Sequence, residues 1–201
     1  MSVIPSFTLA SIERTTARAG GALFILCLLT GLCCGFNPAD LEKVKNTNRC
    51  EDCDLTGADM AGSVMNDVRL ANAKVAGAKM AGADLSSGNL SGADLSGADL
   101  SKADLSYTNL WHARLPKANL SGGRLIGARL QGADLSGANL SGANLAAADL
   151  SGANLNGATW TDGKKCLEGS TGSCKTGESE PEKRPSKQRG LPRTRLIPPP
   201  Q

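Results

Sequence analysis

Every fifth residue through the middle of this chain is apolar. From position 55 to position 160 the register reads Leu, Met, Met, Leu, Val, Met, then Leu without a break from Leu85 to Leu155, and finally Trp160, 22 positions with no insertion. Two residues before each stands a small residue, mostly Ala, as at Ala58, Ala73, Ala78, Ala83, Ala93, Ala98 and Ala103; the exceptions include Ser63, Val68, Gly88, Thr108 and Gly123. Asp or Asn usually falls between the two, and Ser and Gly usually follow, so the unit is Ala-Asp/Asn-Leu-Ser-Gly. A helix advances about 100° per residue, so positions five apart would wind around all its faces. A flat strand has period two and would expose half of these Leu residues. The pattern instead predicts an all-β chain that turns one corner per repeat and keeps Leu and Ala inside each time. Gly, Asn and Asp tolerate the turn conformations such corners need. On this reading Leu95, Leu115 and Leu135 face the axis, and no helix interrupts residues 55–160.

The motif resembles that of the pentapeptide-repeat family, A(D/N)LXX, over residues 53–162. The resemblance implies a right-handed quadrilateral β-helix with four repeats per coil, hence about 5.5 coils for 22 repeats. At a layer spacing of about 4.8 Å, the rod is roughly 26 Å long. One coil cannot bury its Leu residues alone, so neighbouring coils must cover them. The ends then present unpaired edges and an open Leu layer, and need caps. Residues 37–52 and 163–176 stand where those caps belong. Asp40-Leu41-Glu42-Lys43-Val44 would suit a short capping helix with Asp40 as its N-cap.

The chain opens with Arg14 and Arg18 followed by an apolar run from Gly21 to Gly35, too short for a bilayer span of about 20 residues. Residues 1–36 read as a signal peptide, with an uncleaved anchor as the alternative. Cys33 and Cys34 lack the preceding residues that bacterial lipidation favours. Export places the mature chain in an oxidising compartment, secreted or periplasmic in a bacterial envelope. Three Cys lie in the leader and four remain, Cys50, Cys53, Cys166 and Cys174. Four Cys allow three pairings. The array separates the first two from the last two, so Cys50–Cys53 and Cys166–Cys174 are the natural bridges, each closing a loop at one end. Cys50-Glu51-Asp52-Cys53 is not a haem site, because Asp54 stands where His is required, and as half a zinc site it lacks a second ligand pair. No βαβ context supports a redox role.

The formal charge of +3 is small. Residues 177–201 read as a disordered, Pro-rich basic tail, with six cations between Lys183 and Arg195 and no acid. Within the array, stacking at twenty residues aligns Asp54, Lys74, Asp94, Arg114, Asp134 and Asn154 in one column; Asp59, Lys79, Asp99 and Asn119 in another; and Asp84, Asp104 and Arg124 in a third. Interposed cations relieve repulsion between stacked carboxylates, so Lys74, Lys79, Arg114 and Arg124 read first as a surface charge ladder. One stretch departs from the consensus. Residues 106–117 hold the single Tyr and the single His with one of the two Trp. The register places Tyr107, Trp111, His112 and Lys117 outside, beside Arg114, with Arg129 and Asn109 sharing a column. An exposed aromatic flanked by cations is the best candidate contact patch, for a partner or a glycan, against surface drift as the plain alternative.

Nothing in the chain reads as catalytic. The lone His has no companions for a triad, and the carboxylates sit on a convex surface rather than in a cleft. No cofactor or metal signature is present. The expectation is a non-enzymatic scaffold or binding rod, even and polar enough on its faces to be a monomer, whose partner is an unidentified protein or envelope component. Membrane contact would come only through an uncleaved leader or the basic tail. The alternative is a DNA-mimicking, gyrase-interacting member of the family. Ten Asp against eight Lys/Arg over residues 53–162, interspersed rather than clustered, argue against that mimicry, as the leader does. Nucleic acid is not an expected partner.

Overall fold

The structure, a computed structural model, describes residues 36–177. The leader, with Cys27, Cys33 and Cys34, and the basic tail lie outside the described residues. Among the described residues the first element is helix α1, Pro38–Thr47. Its N-cap is Asn37, not Asp40: the Asn37 side chain accepts the Ala39 N–H at 3.0 Å. Pro38 explains the earlier start, since proline suits the first helical position and has no N–H there to satisfy. Asp40 sits in the first turn, where its carboxylate accepts the Asp54 N–H at 3.0 Å and ties the helix to the coil above. Asn48 ends α1 in a left-handed conformation (φ 53°) and returns its N–H to the Val44 carbonyl. Val44 is fully buried, and Phe36 and Leu41 pack against the same core.

From Arg49 onward the chain pairs with itself in parallel, each bridging residue meeting the one twenty positions later, from Arg49–Arg69 through Asn139–Thr159. Twenty residues at five per repeat make four repeats per turn of the coil. The ladder therefore begins ahead of residue 53, and Cys50, fully buried, occupies the five-residue register where later coils have Leu. Leu95, Leu115 and Leu135 are all fully buried, and no helix falls between residues 55 and 160.

A repeat with Asp or Asn in its middle and a coil on either side satisfies all five of its backbone N–H groups, which is the physical content of the motif. In one repeat, Ala98 N–H closes the turn onto the Leu95 carbonyl. Asp99 N–H reaches the preceding coil at Ala78, and Leu100 and Lys102 N–H reach the following coil at Asn119 and Ser121. The fifth, Ser101 N–H, is left over at the corner and is taken by the Asp99 carboxylate at 3.1 Å. The same bond recurs from Asp54 to Asn154 wherever Asp or Asn holds the position, for example Ser86 to Asp84 and Ser141 to Asn139. Where Arg114 replaces the carboxylate, the residue two further on is Pro116, which has no N–H needing an acceptor.

The departures from Ala in the small inward position compensate one another. Val68, Gly88 and Thr108 stand in one column, and a Cβ on Gly88 would come within 2.9 Å of the Leu85 carbonyl and 3.1 Å of Val68. Thr108, buried above, donates its hydroxyl to the same Leu85 carbonyl at 2.8 Å. Gly88→Ala is therefore expected to destabilise the rod by about 1–3 kcal/mol, the usual cost of overpacking. Urea unfolding checks this, and the cost should shrink in a Val68→Ala background.

The far end is closed differently. After Trp160, which is half-buried rather than fully inside, the chain turns back. Thr159 pairs antiparallel with Lys165 and Asn154 with Thr171. Leu155 N–H reaches Ser170 and Gly172 N–H reaches Ala153, both at 2.9 Å. This hook covers the edges of two sides of the last coil. Asn144 and Asp149 are the last residues paired on the other two sides, where Leu145 and Leu150 are only half-buried.

Candidate functional site

Two disulfides mark the two ends: Cys50–Cys53, with Cα atoms 5.3 Å apart, and Cys166–Cys174, at 5.0 Å. The Asp40 carboxylate lies beside the first, its oxygen and the two sulfurs within 4.8 Å of one another. With both sulfurs joined to each other, one carboxylate is left, which does not make a metal site.

The outer columns are as the twenty-residue spacing requires, with Asp54–Lys74, Asp94–Arg114, Asp84–Asp104 and Asn109–Arg129 among the paired positions. The charge ladder is only partly realised. Among the described residues, ion pairs within 4.0 Å form between Arg114 and Asp94 (3.8 Å) and between Arg124 and Asp104 (3.6 Å), and none involves Lys74 or Lys79. All four side chains of the two pairs are substantially exposed, so each pair contributes a fraction of a kcal/mol, up to about 1. A second ladder, of amides, was not anticipated from charge. Asn119 donates to Asp99, Asn139 to Asn119, Asn109 to Asn89 and Asn154 to Asp134, at 3.0–3.3 Å.

Several carboxyls are held below their ordinary range by the corner bonds. The Ser86 hydroxyl, then its N–H, does this for Asp84; Ser101 does it for Asp99 and Ser151 for Asp149; the Thr56 side chain leads at Asp54. At Asp94 burial pushes the other way and is overcome by Ser96 and Arg114. A depressed folded-state value means this stabilisation is complete above the ordinary value near pH 4 and is lost as pH falls from there through the lower folded-state value. Melting temperature should therefore drop on acidification from about pH 5 to about pH 3. Asp84→Asn keeps the corner acceptor and should flatten that slope; an unchanged slope would count against the corner bonds as its source.

The aromatic stretch is exposed, Tyr107 at 67% and Trp111 at 54%. Its residues do not form one patch. Tyr107, His112 and Lys117 occupy three successive corners of the coil. Trp111 lines an open groove of about 380 Å³ with Ser91, Asn109, Arg129 and Gln131. His112 stands edge-on to the Trp111 ring, centroids 4.2 Å apart at 75°, and braces one wall. The Asn109 side chain accepts the Trp111 backbone N–H at 3.2 Å, and the Gln131 amide donates to Asp149 at 2.8 Å. Of the residues expected in the patch, Trp111 and Arg129 meet in the groove, with His112 behind. Ser91 and Gln131 join them, and their spacing of twenty on either side of Trp111 puts them in its column.

Parallel bridges at constant spacing around a Leu-filled axis define a β-helix of five-residue repeats. The family profile described as Pentapeptide repeats (8 copies) matches residues 49–86, 89–122 and 124–159, more than half of the chain. The protein belongs to the pentapeptide-repeat family. Among solved structures, it resembles the pentapeptide repeat protein Rfr23 from the cyanobacterium Cyanothece 51142 at 29% identity and TM-score 0.59. That match covers 61% of this chain and 97% of that one. HetL, involved in heterocyst differentiation regulation in Nostoc sp. Strain PCC 7120, matches at 30% identity and TM-score 0.35, covering 58% of this chain and 65% of that one. QnrB1, a plasmid-mediated fluoroquinolone resistance protein, matches at 25% and TM-score 0.35, covering 56% and 70%. No curated relative matches the chain.

Proposed function

We propose that this chain is an exported, non-enzymatic repeat protein of the cell envelope, a rigid binding rod that meets its partner at the Trp111 groove. Its finer architecture on this reading is a right-handed, four-sided coil of about 5.5 turns. The observation that carries the reading is the groove itself. It is the place where an exposed aromatic, a cation without an ion pair within 4.0 Å among the described residues, and three neutral hydrogen-bonding side chains converge. Aromatic and Arg side chains are the usual anchors of protein contacts. Export is supported by the apolar leader and by the two disulfides, which suit an oxidising compartment. The acids on the convex face are engaged at corners and offer no cleft for catalysis.

The test is capture of envelope components on the exported, oxidised protein, compared with a Trp111→Ser variant and, separately, with Tyr107→Ser, which lies outside the groove and should leave capture unchanged. Loss of the captured species in the Trp111 variant is the expected result, and equal capture discards the groove as the contact. Mass spectrometry of the exported chain should find its start near residue 36. A gyrase inhibition assay run alongside should show no effect; inhibition would return the DNA-mimic reading to first place.

A further inference from the structure

One coil carries an unusual set of corners. The second residue after each inward Leu adopts positive φ, and Gly holds most of these positions. Lys102, Tyr107, His112 and Lys117 hold four in succession, at φ 52–59°, once around the rod. Side chains other than Gly cost about 1 kcal/mol each in that conformation. All four stay exposed, lying over the corners of the next coil and not in the core. The next coil makes room for them with Gly at every corner. A Cβ on Gly127 would come within 2.8 Å of the Tyr107 ring, and one on Gly132 within 2.6 Å of the His112 imidazole.

Charge follows the same belt. Residues 100–133 carry Lys102, Arg114, Lys117, Arg124 and Arg129 against Asp104 alone. Residues 53–99 carry six Asp against three cations, and residues 134–162 carry three Asp against none. The array is therefore basic at its waist and acidic in the coils on both sides, although the hook on the last coil adds Lys164, Lys165 and Lys175 against Glu168. Two coils span about 10 Å, comparable to the screening length at physiological salt. Arg114 is paired with Asp94 and Arg124 with Asp104, and Asp149 stands one coil beyond Arg129, so Lys102, Lys117 and Arg129 are the waist cations outside any ion pair within 4.0 Å among the described residues. A polyanion laid along the array passes the acidic coils beside the waist, whereas one that crosses at the waist meets mainly its cations.

The groove opens on this waist. Its Trp111 ring offers a flat apolar face, held in place by His112 and therefore preorganised. Ser91, Asn109 and Gln131 supply neutral donors and acceptors, and Arg129 supplies a fork that fits a carboxylate. A sugar ring has that combination: a C–H face for the indole, hydroxyls for the amides, and in a uronic acid one carboxylate per ring. Resting on the contact assigned above, we propose that the belt binds a carboxylated polysaccharide that crosses the rod, one uronate ring lying on Trp111 with its carboxylate on Arg129.

The probe is polygalacturonate, titrated calorimetrically into the exported, oxidised protein, beside its methyl ester, poly-glutamate and duplex DNA. Polygalacturonate should bind with an affinity that falls as salt rises, and the ester should bind at least about tenfold more weakly. Arg129→Gln and Trp111→Ser should each lose about tenfold at unchanged melting temperature, and Trp111→Tyr should recover part of the loss. Poly-glutamate or DNA binding as tightly as polygalacturonate would overturn the proposal in favour of a general anion surface. No binding of polygalacturonate at low salt would overturn it too. If envelope capture is still lost in the Trp111 variant, only the sugar assignment falls; if capture is unaffected, the groove itself falls.

Discussion

Leu110→Ala is expected to lower the unfolding free energy by about 3 kcal/mol, within the 2–5 kcal/mol range for truncating a buried Leu. Leu110 is fully buried in the middle of the stack, with Leu90 and Leu130 in its own column one coil to either side. The backbone around it is held on both edges, its own N–H bonded to Arg129 of the following coil at 2.8 Å, so the site has little freedom to collapse. Leu150→Ala removes the same atoms from a half-buried position at the open end of the array, with no coil above it, and should cost about 1 kcal/mol. Urea unfolding of the two variants measures the contrast. Equal losses would mean that stability is set by repeat composition alone, rather than by coverage from neighbouring coils as a stacked array requires.

Val44→Asp should have an effect at least as large, by a different route. Val44 is the buried residue of α1 and fully enclosed. A carboxylate placed there without a partner costs about 3–5 kcal/mol, more than the single short helix can hold against. The helix should leave the end of the rod and uncover the first layer, in which Leu55, Met60 and Met65 are now almost wholly buried. Increased binding of a hydrophobic dye and concentration-dependent association in sedimentation are the expected signs. A variant that stays monomeric, binds no dye and melts as the parent does would show that the rod needs no cap at this end. The Cys50–Cys53 bridge keeps the segment after α1 looped, so the experiment reads loss of the helix and not of the first coil.

The legible and illegible parts of the site divide along one line. Spacing that is a multiple of twenty could be read directly, because the ladder adds a whole number of repeats per coil and never slips. Arg129 above Asn109, Arg114 above Asp94, and Gln131 above Trp111 all follow from counting. Closeness across a corner could not be counted. Tyr107 and Lys117 are near Trp111 in sequence and carry the same kind of chemistry, yet the turns at 107, 112 and 117 send them to separate corners. The cap differs from its sequence expectation for a related reason. Asp40 is a good N-cap by type, but Asn37 and Pro38 form an earlier start, and the carboxylate of Asp40 is engaged by Asp54 from the first coil.

By itself the sequence determined which side chains face the axis, because an apolar residue at every fifth place admits one arrangement in which all are covered, and determined the twenty-residue columns that follow. The reason for Asp or Asn in the motif came from the structure: these residues do not take the left-handed turn conformation, which falls two places after Leu, but accept a corner N–H that has no other acceptor. Tertiary structure alone decided where the stack stops. The hook of residues 164–175 has no repeat to set its register, and it reverses to pair antiparallel with Asn154 and Thr159 because the last coil leaves those edges unpaired. It decided, too, that Trp111, Arg129, Asn109, Gln131 and Ser91 share one groove, since their approach depends on how far each side chain leans over the coil beside it, a distance that no periodicity encodes.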